Sequence, residues 1–85
     1  MYSLYILICD EGKHYIGVTD TLERRISEHN DPDGKKIRYT RRYTNWRMIY
    51  TETYSTLSEA RKREYEIKSW KWGNKFRQLI AQSDE

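Results

Sequence analysis

Apolar and polar positions divide the chain into six short segments. Tyr2–Cys9 is a continuous β-favouring run, apolar on both faces, and predicts a central strand. Asp10–Lys13 contains Gly12 and reads as a short hairpin turn into a second strand, His14–Val18. Asp20 with Glu23 three residues later is a helix-start pattern, and the helix runs to about Asn30. The stretch Asn30–Gly34 stops it and opens a basic loop. Trp46–Tyr54 alternates as a third strand. Thr56 with Glu59 opens a second helix over Thr56–Lys71, Gly73 breaks it, and Lys75–Gln82 forms a last helix around Phe76, Leu79 and Ile80. The order β-β-α-β-α-α implies one α+β domain over residues 1–85, a small three-stranded, mainly antiparallel sheet flanked by helices.

Two ionisable residues interrupt the apolar stripes of these helices. In the second helix the stripe runs Leu57, Ala60, Ile67, and at about 100° per residue Glu64 falls inside it. A carboxylate facing a core costs several kcal/mol unless it is paired, protonated or bound to a metal. In the first helix Leu22 and Ile26 define the apolar face and His29 lies between their directions. Arg25 sits on the flank, one turn from His29. A single buried histidine is more often a satisfied core residue than a catalyst. Two helices that each aim an ionisable group at the sheet are different, because the groups can meet in one pocket.

The strands add tyrosines. Tyr5 shares a strand face with Leu7 and Cys9, and Tyr15 shares one with Gly17. A strand glycine often marks where a ligand or another backbone comes close, which singles out Tyr15 among the eight tyrosines. Composition explains how so polar a chain folds: only 36% of residues are hydrophobic and 34% are charged, yet twelve are aromatic. The single Cys9 excludes an internal disulfide and a multi-cysteine zinc site, and favours a reducing compartment. With no membrane-length apolar run and no leader-like N-terminus, a cytoplasmic location is expected. Net charge is only +3, but Lys35, Lys36, Arg38, Arg41, Arg42 and Arg47 follow one another without an intervening acid. Tyr39, Tyr43 and Trp46 are interleaved, a pattern suited to a phosphate backbone.

Ser3-Leu4-Tyr5, then Tyr15-Ile16-Gly17, then Asp20–Asn30 resemble the opening of a GIY-YIG nuclease domain. Tyr39–Arg42 and Ser58–Trp70 are similar to the small stand-alone branch of that superfamily. The three-letter motifs are weak alone; their ordered spacing, with Arg25 ten residues after Tyr15 and Glu64 in the later helix, is specific. The resemblance implies a metal-dependent endonuclease acting on duplex or branched DNA. Its site would comprise Tyr5, Tyr15, Arg25 and His29, with Glu64 holding one divalent metal, Mg²⁺ or Mn²⁺. Either Tyr15 or His29 would be the general base: an ordinary phenol is largely neutral at pH 7, whereas an ordinary imidazole titrates near 6.5. Arg25 would clamp the scissile phosphate and Tyr5 would bond water or phosphate. Lys35, Lys36, Arg38, Arg41, Arg42 and Lys68 would hold flanking phosphates. Ser3 replaces the first motif's glycine, and Val18 stands where some relatives carry a lysine.

Two rival readings use the same residues. One is a nucleic-acid-binding module of this fold without productive catalysis, which fails if Tyr15, Arg25, His29 and Glu64 converge. The other is an interaction module whose Trp46, Trp70, Trp72 and Tyr54 form a dimer surface. A homodimer or an accessory protein also fits the nuclease reading, because the chain has no added specificity domain.

Overall fold

The computed structural model describes residues 1–30 and 45–81. Its elements come in the expected order: β1 (Tyr2–Ile8), β2 (His14–Thr19), α1 (Leu22–His29), β3 (Arg47–Tyr54), α2 (Leu57–Ser69) and α3 (Asn74–Ala81). The basic stretch 35–42 and the proline-containing stop at 31–34 lie outside the described residues. The strands form one antiparallel sheet in the order β2-β1-β3.

β1 is central because it is apolar on both faces. Leu4 and Ile6 point to one side and join Ile16, Ile67 of α2, and Phe76 and Leu79 of α3. Tyr5, Leu7 and Cys9 point to the other and pack with Trp46, bordered by Tyr15, Leu22 and Ile26. The sheet is thus covered by α2 and α3 on one face and by α1 on the other. No helix of the described residues is long and apolar enough to cross a membrane.

Four local features differ from the sequence pattern. Helix α1 is capped at Thr21 rather than Asp20, with no side-chain cap. The Asp20 carboxylate instead accepts from the Thr21 hydroxyl at 3.1 Å and pairs with exposed Arg24. In β3 the register skips Ile49, since Ile6 faces Tyr50 while Leu7 faces Met48. This bulge lets Ile49 and Tyr50 both reach the core around Ile6, so strict alternation fails there. Leu57, expected at the head of the α2 stripe, is 41% exposed. Its place in the first turn carries it past the sheet, and the buried stripe begins at Ala60.

The fourth difference is at the end of α2. Lys71 and Trp72, not Gly73, take left-handed backbone angles (φ 50° and 62°). Gly73 is required for close approach: its N–H donates to the Trp70 carbonyl at 3.0 Å, and a Cβ there would stand 3.1 Å from that oxygen. The start of α2 follows the pattern. Thr56 Oγ1 accepts from the Glu59 N–H at 3.2 Å, and its hydroxyl donates to the Glu59 carboxylate at 2.9 Å.

Helix α2 is tied to β3 through Glu52. This carboxylate accepts from the Tyr50 and Tyr54 hydroxyls and from Arg63 Nε at 3.0 Å. Burial alone would raise its pKa, but Arg63 and the two hydroxyls hold it below the usual carboxylate range. Arg63 also lies over the Trp70 ring at 5.4 Å.

Gly17 sits opposite Tyr5 in the β1–β2 register. A Cβ on Gly17 would lie 2.5 Å from the Tyr5 hydroxyl oxygen, 2.6 Å from its Cζ and 3.0 Å from the Tyr15 ring. The close neighbour that this strand glycine admits is therefore the Tyr5 side chain. Gly17→Ala should destabilise the fold by about 1–3 kcal/mol, because a buried ring has nowhere to shift. Urea denaturation of the two proteins checks this; equal midpoints would show that the Tyr5 ring yields freely.

Candidate active site

Side chains at alternate positions of a strand share a face. β1 therefore directs Tyr5 toward α1, and β2 places Tyr15 on the same side, with ring centroids 6.2 Å apart. The amphipathic turn of α1 adds His29 at its last position and Arg25 one turn earlier. The Tyr5 hydroxyl and His29 Nε2 share a hydrogen bond of 2.9 Å. The His29 ring is 4.5 Å from the Tyr15 ring in an edge-on arrangement. Trp46 walls the cluster, 6.4 Å from His29 and 6.5 Å from Tyr15. Asn30 clamps that wall in place: its Nδ2 donates to the Trp46 carbonyl at 2.9 Å, and its Oδ1 accepts from the Trp46 N–H at 2.7 Å.

Burial sets the protonation states. Tyr5 has no exposed surface, and desolvation pushes its pKa up to about 12 against the opposing pull of its hydrogen bond with Arg25. His29 is 2% exposed; burial first, then the positive charge of Arg25, lower its pKa to about 4, with Glu28 opposing. Burial would lower the pKa of Arg25 too, but its hydrogen bonds to Tyr5 and Glu28 outweigh that and keep it cationic. Its Nη1 donates to Glu28 Oε1 at 3.1 Å. A guanidinium only donates. The Tyr5 oxygen therefore accepts from Arg25, leaving its proton to be donated to a neutral His29 Nε2. Tyr15, half-buried, is the member of the three-ring cluster that reaches solvent.

Glu64 lies on the buried stripe of α2 between Ala60 and Ile67, 7% exposed. Its Oε2 accepts from Lys68 Nζ at 2.8 Å and its Oε1 from Arg61 at 3.5 Å. Both cations are about half-exposed. The carboxylate is close enough to Tyr5 to oppose ionisation of the phenol, which places it in the same electrostatic neighbourhood. Among the described residues no three His, Cys, Asp or Glu side chains are grouped as a metal cage. A single carboxylate held by movable cations instead fits Mg²⁺, which is commonly bound by one or two carboxylates, waters and substrate phosphates.

The structure thus brings together Tyr5, Tyr15, Arg25 and His29, with Glu64 near Tyr5 and Lys68 on Glu64. Lys35, Lys36, Arg38, Arg41 and Arg42 lie outside the described residues. Trp46, Asn30 and Glu28 also belong to the site: in the sequence Trp46 stood out only as an aromatic among basic residues or on a dimer surface, and Asn30 and Glu28 only as stop and helix. Of the four aromatics that would form a dimer surface, Trp46 is buried here, while Trp70 and Tyr54 pack on the core; Trp72 alone is exposed.

The family model of the GIY-YIG catalytic domain matches residues 1–77. The chain belongs to the GIY-YIG family. This GIY-YIG chain is 43% identical over 68 residues to a UPF0213 protein of Halobacterium salinarum, covering 80% of the chain and 86% of the relative. It is 38% identical over 78 residues to a UPF0213 protein of Staphylococcus epidermidis, covering 92% and 93%. The solution NMR structure of the UPF0213 protein BH0048 from Bacillus halodurans aligns with a TM-score of 0.55 at 30% identity, over 99% of this chain and 86% of that one. The relatives are small proteins of the same domain, and the family is one of nucleases.

In this GIY-YIG domain His29 stays neutral when folded down to about pH 4, whereas an unfolded histidine takes a proton below about 6.5. The unfolded chain therefore binds more protons in that window, and stability falls as pH drops from 6.5 toward 4, by at most roughly 3 kcal/mol from this group. His29→Gln should flatten the decline. Urea midpoints at about pH 7, 5.5 and 4.5 test it; identical slopes would mean that His29 is not held neutral.

Proposed function

We propose that this chain is a metal-dependent DNA endonuclease that hydrolyses phosphodiester bonds, with Tyr15 as its general base. The observation that supports it best is the convergence of a partly exposed tyrosine, a buried neutral histidine and a cationic arginine, with a nearly buried carboxylate across the sheet still close enough to oppose ionisation of Tyr5. A domain kept only for binding has no need of that buried array. The two other candidate bases fit the role less well. Tyr5 is fully buried and holds its proton too tightly, and His29 is buried and too weakly basic. Their part is positioning: Tyr5 joins Arg25 to His29, and His29 holds the Tyr15 ring edge-on.

In the proposed reaction a water oxygen attacks phosphorus as the bond to the departing sugar oxygen breaks. Tyr15, in its phenolate form, takes the proton of that water, and the departing oxygen is protonated from solvent. Arg25 exchanges Glu28 for a phosphate oxygen and offers its fork to the charge that builds in the transition state. Glu64 would hold the divalent metal, giving up Lys68 and Arg61 to do so. A bound Mg²⁺ or Mn²⁺ would supply Lewis-acid stabilisation of the phosphate. Lys68, once released, is placed to meet a neighbouring phosphate, and Lys35, Lys36, Arg38, Arg41 and Arg42 would extend that contact. Such contacts position DNA without reading its sequence.

The test is cleavage of labelled single strands, duplexes, flaps and branched junctions in Mg²⁺ or Mn²⁺ by wild type, Glu64→Gln, Tyr15→Phe and His29→Gln. Removing the base should slow cleavage by about 10²–10⁴-fold in Tyr15→Phe. Glu64→Gln should be at least as slow, and His29→Gln should retain more activity than either. Cleavage lost only in His29→Gln would move the base to the histidine. Salt-sensitive binding without cleavage by any of the proteins would replace the nuclease by a binding module.

A further inference from the structure

We infer that the exposed ring of Trp72, together with His14 and the cations around it, forms a stacking site for an unpaired nucleobase. The chain places this ring outward at an energetic cost. Lys71 and Trp72 are consecutive non-glycine residues in left-handed conformation, which crowds their Cβ atoms against the backbone. The result is an indole 46% exposed, while Trp46 is buried and Trp70 packs on the core. A tryptophan kept only to cover the core would not need that backbone.

The surroundings specify the ligand. The Trp72 ring lies 5.4 Å from the His14 ring, 26° from parallel, and 4.6 Å from Phe76 at 90°. It separates two hollows of about 330 Å³ each. One is lined by His14, Trp72, Phe76, Arg77, Ile80 and Ala81, the other by Gly12, Lys13, His14 and Trp72. Among the described residues no carboxylate lines either hollow. Lys13, Lys71, Lys75 and Arg77 are exposed around them and form no ion pair among the described residues. Flat aromatic surface ringed by exposed cations is complementary to bases linked by phosphates. A duplex keeps the faces of its internal bases stacked, so the occupant is a base of an unpaired strand.

The location is consistent with a role beside the catalytic cluster. His14 and Tyr15 are neighbours on the edge strand β2 and point to opposite faces of the sheet. A strand lying along that edge meets both. The inference rests on the reading of DNA as the ligand, but its test is binding, which is read whether or not the chain cleaves.

The measurement uses full-length Glu64→Gln protein without divalent metal, titrated with a labelled oligothymidylate of about 12 nucleotides and with a blunt duplex of equal length. Trp72→Ala should weaken the single-strand complex by about 5–100-fold, the range expected for losing one stacked base. Trp72→Tyr should restore most of that loss, duplex binding should change less than about twofold, and tryptophan emission should be quenched by the single strand only while Trp72 is present. Trp72→Tyr carries the same test if the alanine variant fails to fold: its single-strand affinity must stay close to the parent's while the quenching of tryptophan emission is lost. Equal effects on both DNAs, no effect on either, or no binding of either DNA by the parent overturns the proposal. Loss of self-association in sedimentation, with DNA binding unchanged, also overturns it and assigns the ring to a second copy of the chain. A nuclease that cleaves normally in Trp72→Ala would leave the catalytic reading intact while removing this one.

Discussion

A phenol with no exposed surface must find partners for its hydroxyl inside the protein, and Tyr5 finds them on α1. That requirement orders the rest of the site. The ring fits because the residue opposite it on β2 is Gly17, so the strand pairing and the ring position are set together. The hydroxyl fits because the last turn of α1 presents His29 at 2.9 Å and the preceding turn presents Arg25. Helix α1 therefore docks at one rotation about its axis, the one that leaves Tyr15 half-open beside the imidazole. No buried side-chain polar atom among the described residues lacks a hydrogen-bond partner. The array is consequently held together by its own hydrogen bonds, as the proposed base and arginine clamp would require.

Two little-exposed carboxylates on the other side of the sheet show how differently a fold can hold the same group. Glu52 is fastened by two tyrosine hydroxyls and by Arg63, itself stacked on Trp70. Removing any of these partners leaves a largely desolvated charge, so Glu52 is fixed and joins β3 to α2. Glu64 is at least as buried but is met only by Arg61 and Lys68, long side chains with half their surface in water. Their exposed ends can swing into water, so they can be exchanged for another cation that keeps the nearly buried carboxylate paired. The burial of Glu64 without locked partners distinguishes a carboxylate available for a ligand from one committed to structure.

Much of this was legible in the sequence because the period of each element exposes its misfits. Glu64 in an apolar stripe, His29 between Leu22 and Ile26, and a run from Tyr2 apolar on both faces each follow from spacing alone. What was illegible depends on tertiary partners. Asp20 and Glu23 read as a helix cap, yet Thr21 and Arg24 engage the aspartate, and nothing local predicts that competition. The bulge at Ile49 arises from packing on Ile6, and Leu57 is exposed because the helix begins beyond the sheet. Trp46 reads as one more strand aromatic; only Asn30, sixteen residues earlier, fixes it as a wall of the site. Gly73 attracted the helix break, while the strain was placed one and two residues before it, at Lys71 and Trp72.

An edge strand is ordinarily a hazard, because its unpaired backbone invites another strand. Here β2 occupies that edge and is short, about 20 Å at 3.3 Å per residue. What flanks it is not apolar cover. At the hairpin end stand Lys13, His14 and Trp72, with Lys71 beside them; at the far end a hollow of about 320 Å³ is bordered by Arg24 and Arg25, which are paired with Asp20 and Glu28 on the same rim. Tyr15 lies between the two. Charged groups at both ends discourage a neutral β-strand, whose partners would have to desolvate them, and the lysines of the hairpin end suit an extended polyanion. The same edge thus guards against aggregation and, on the proposed reading, would offer a track for a phosphate chain with Tyr15 part-way along it.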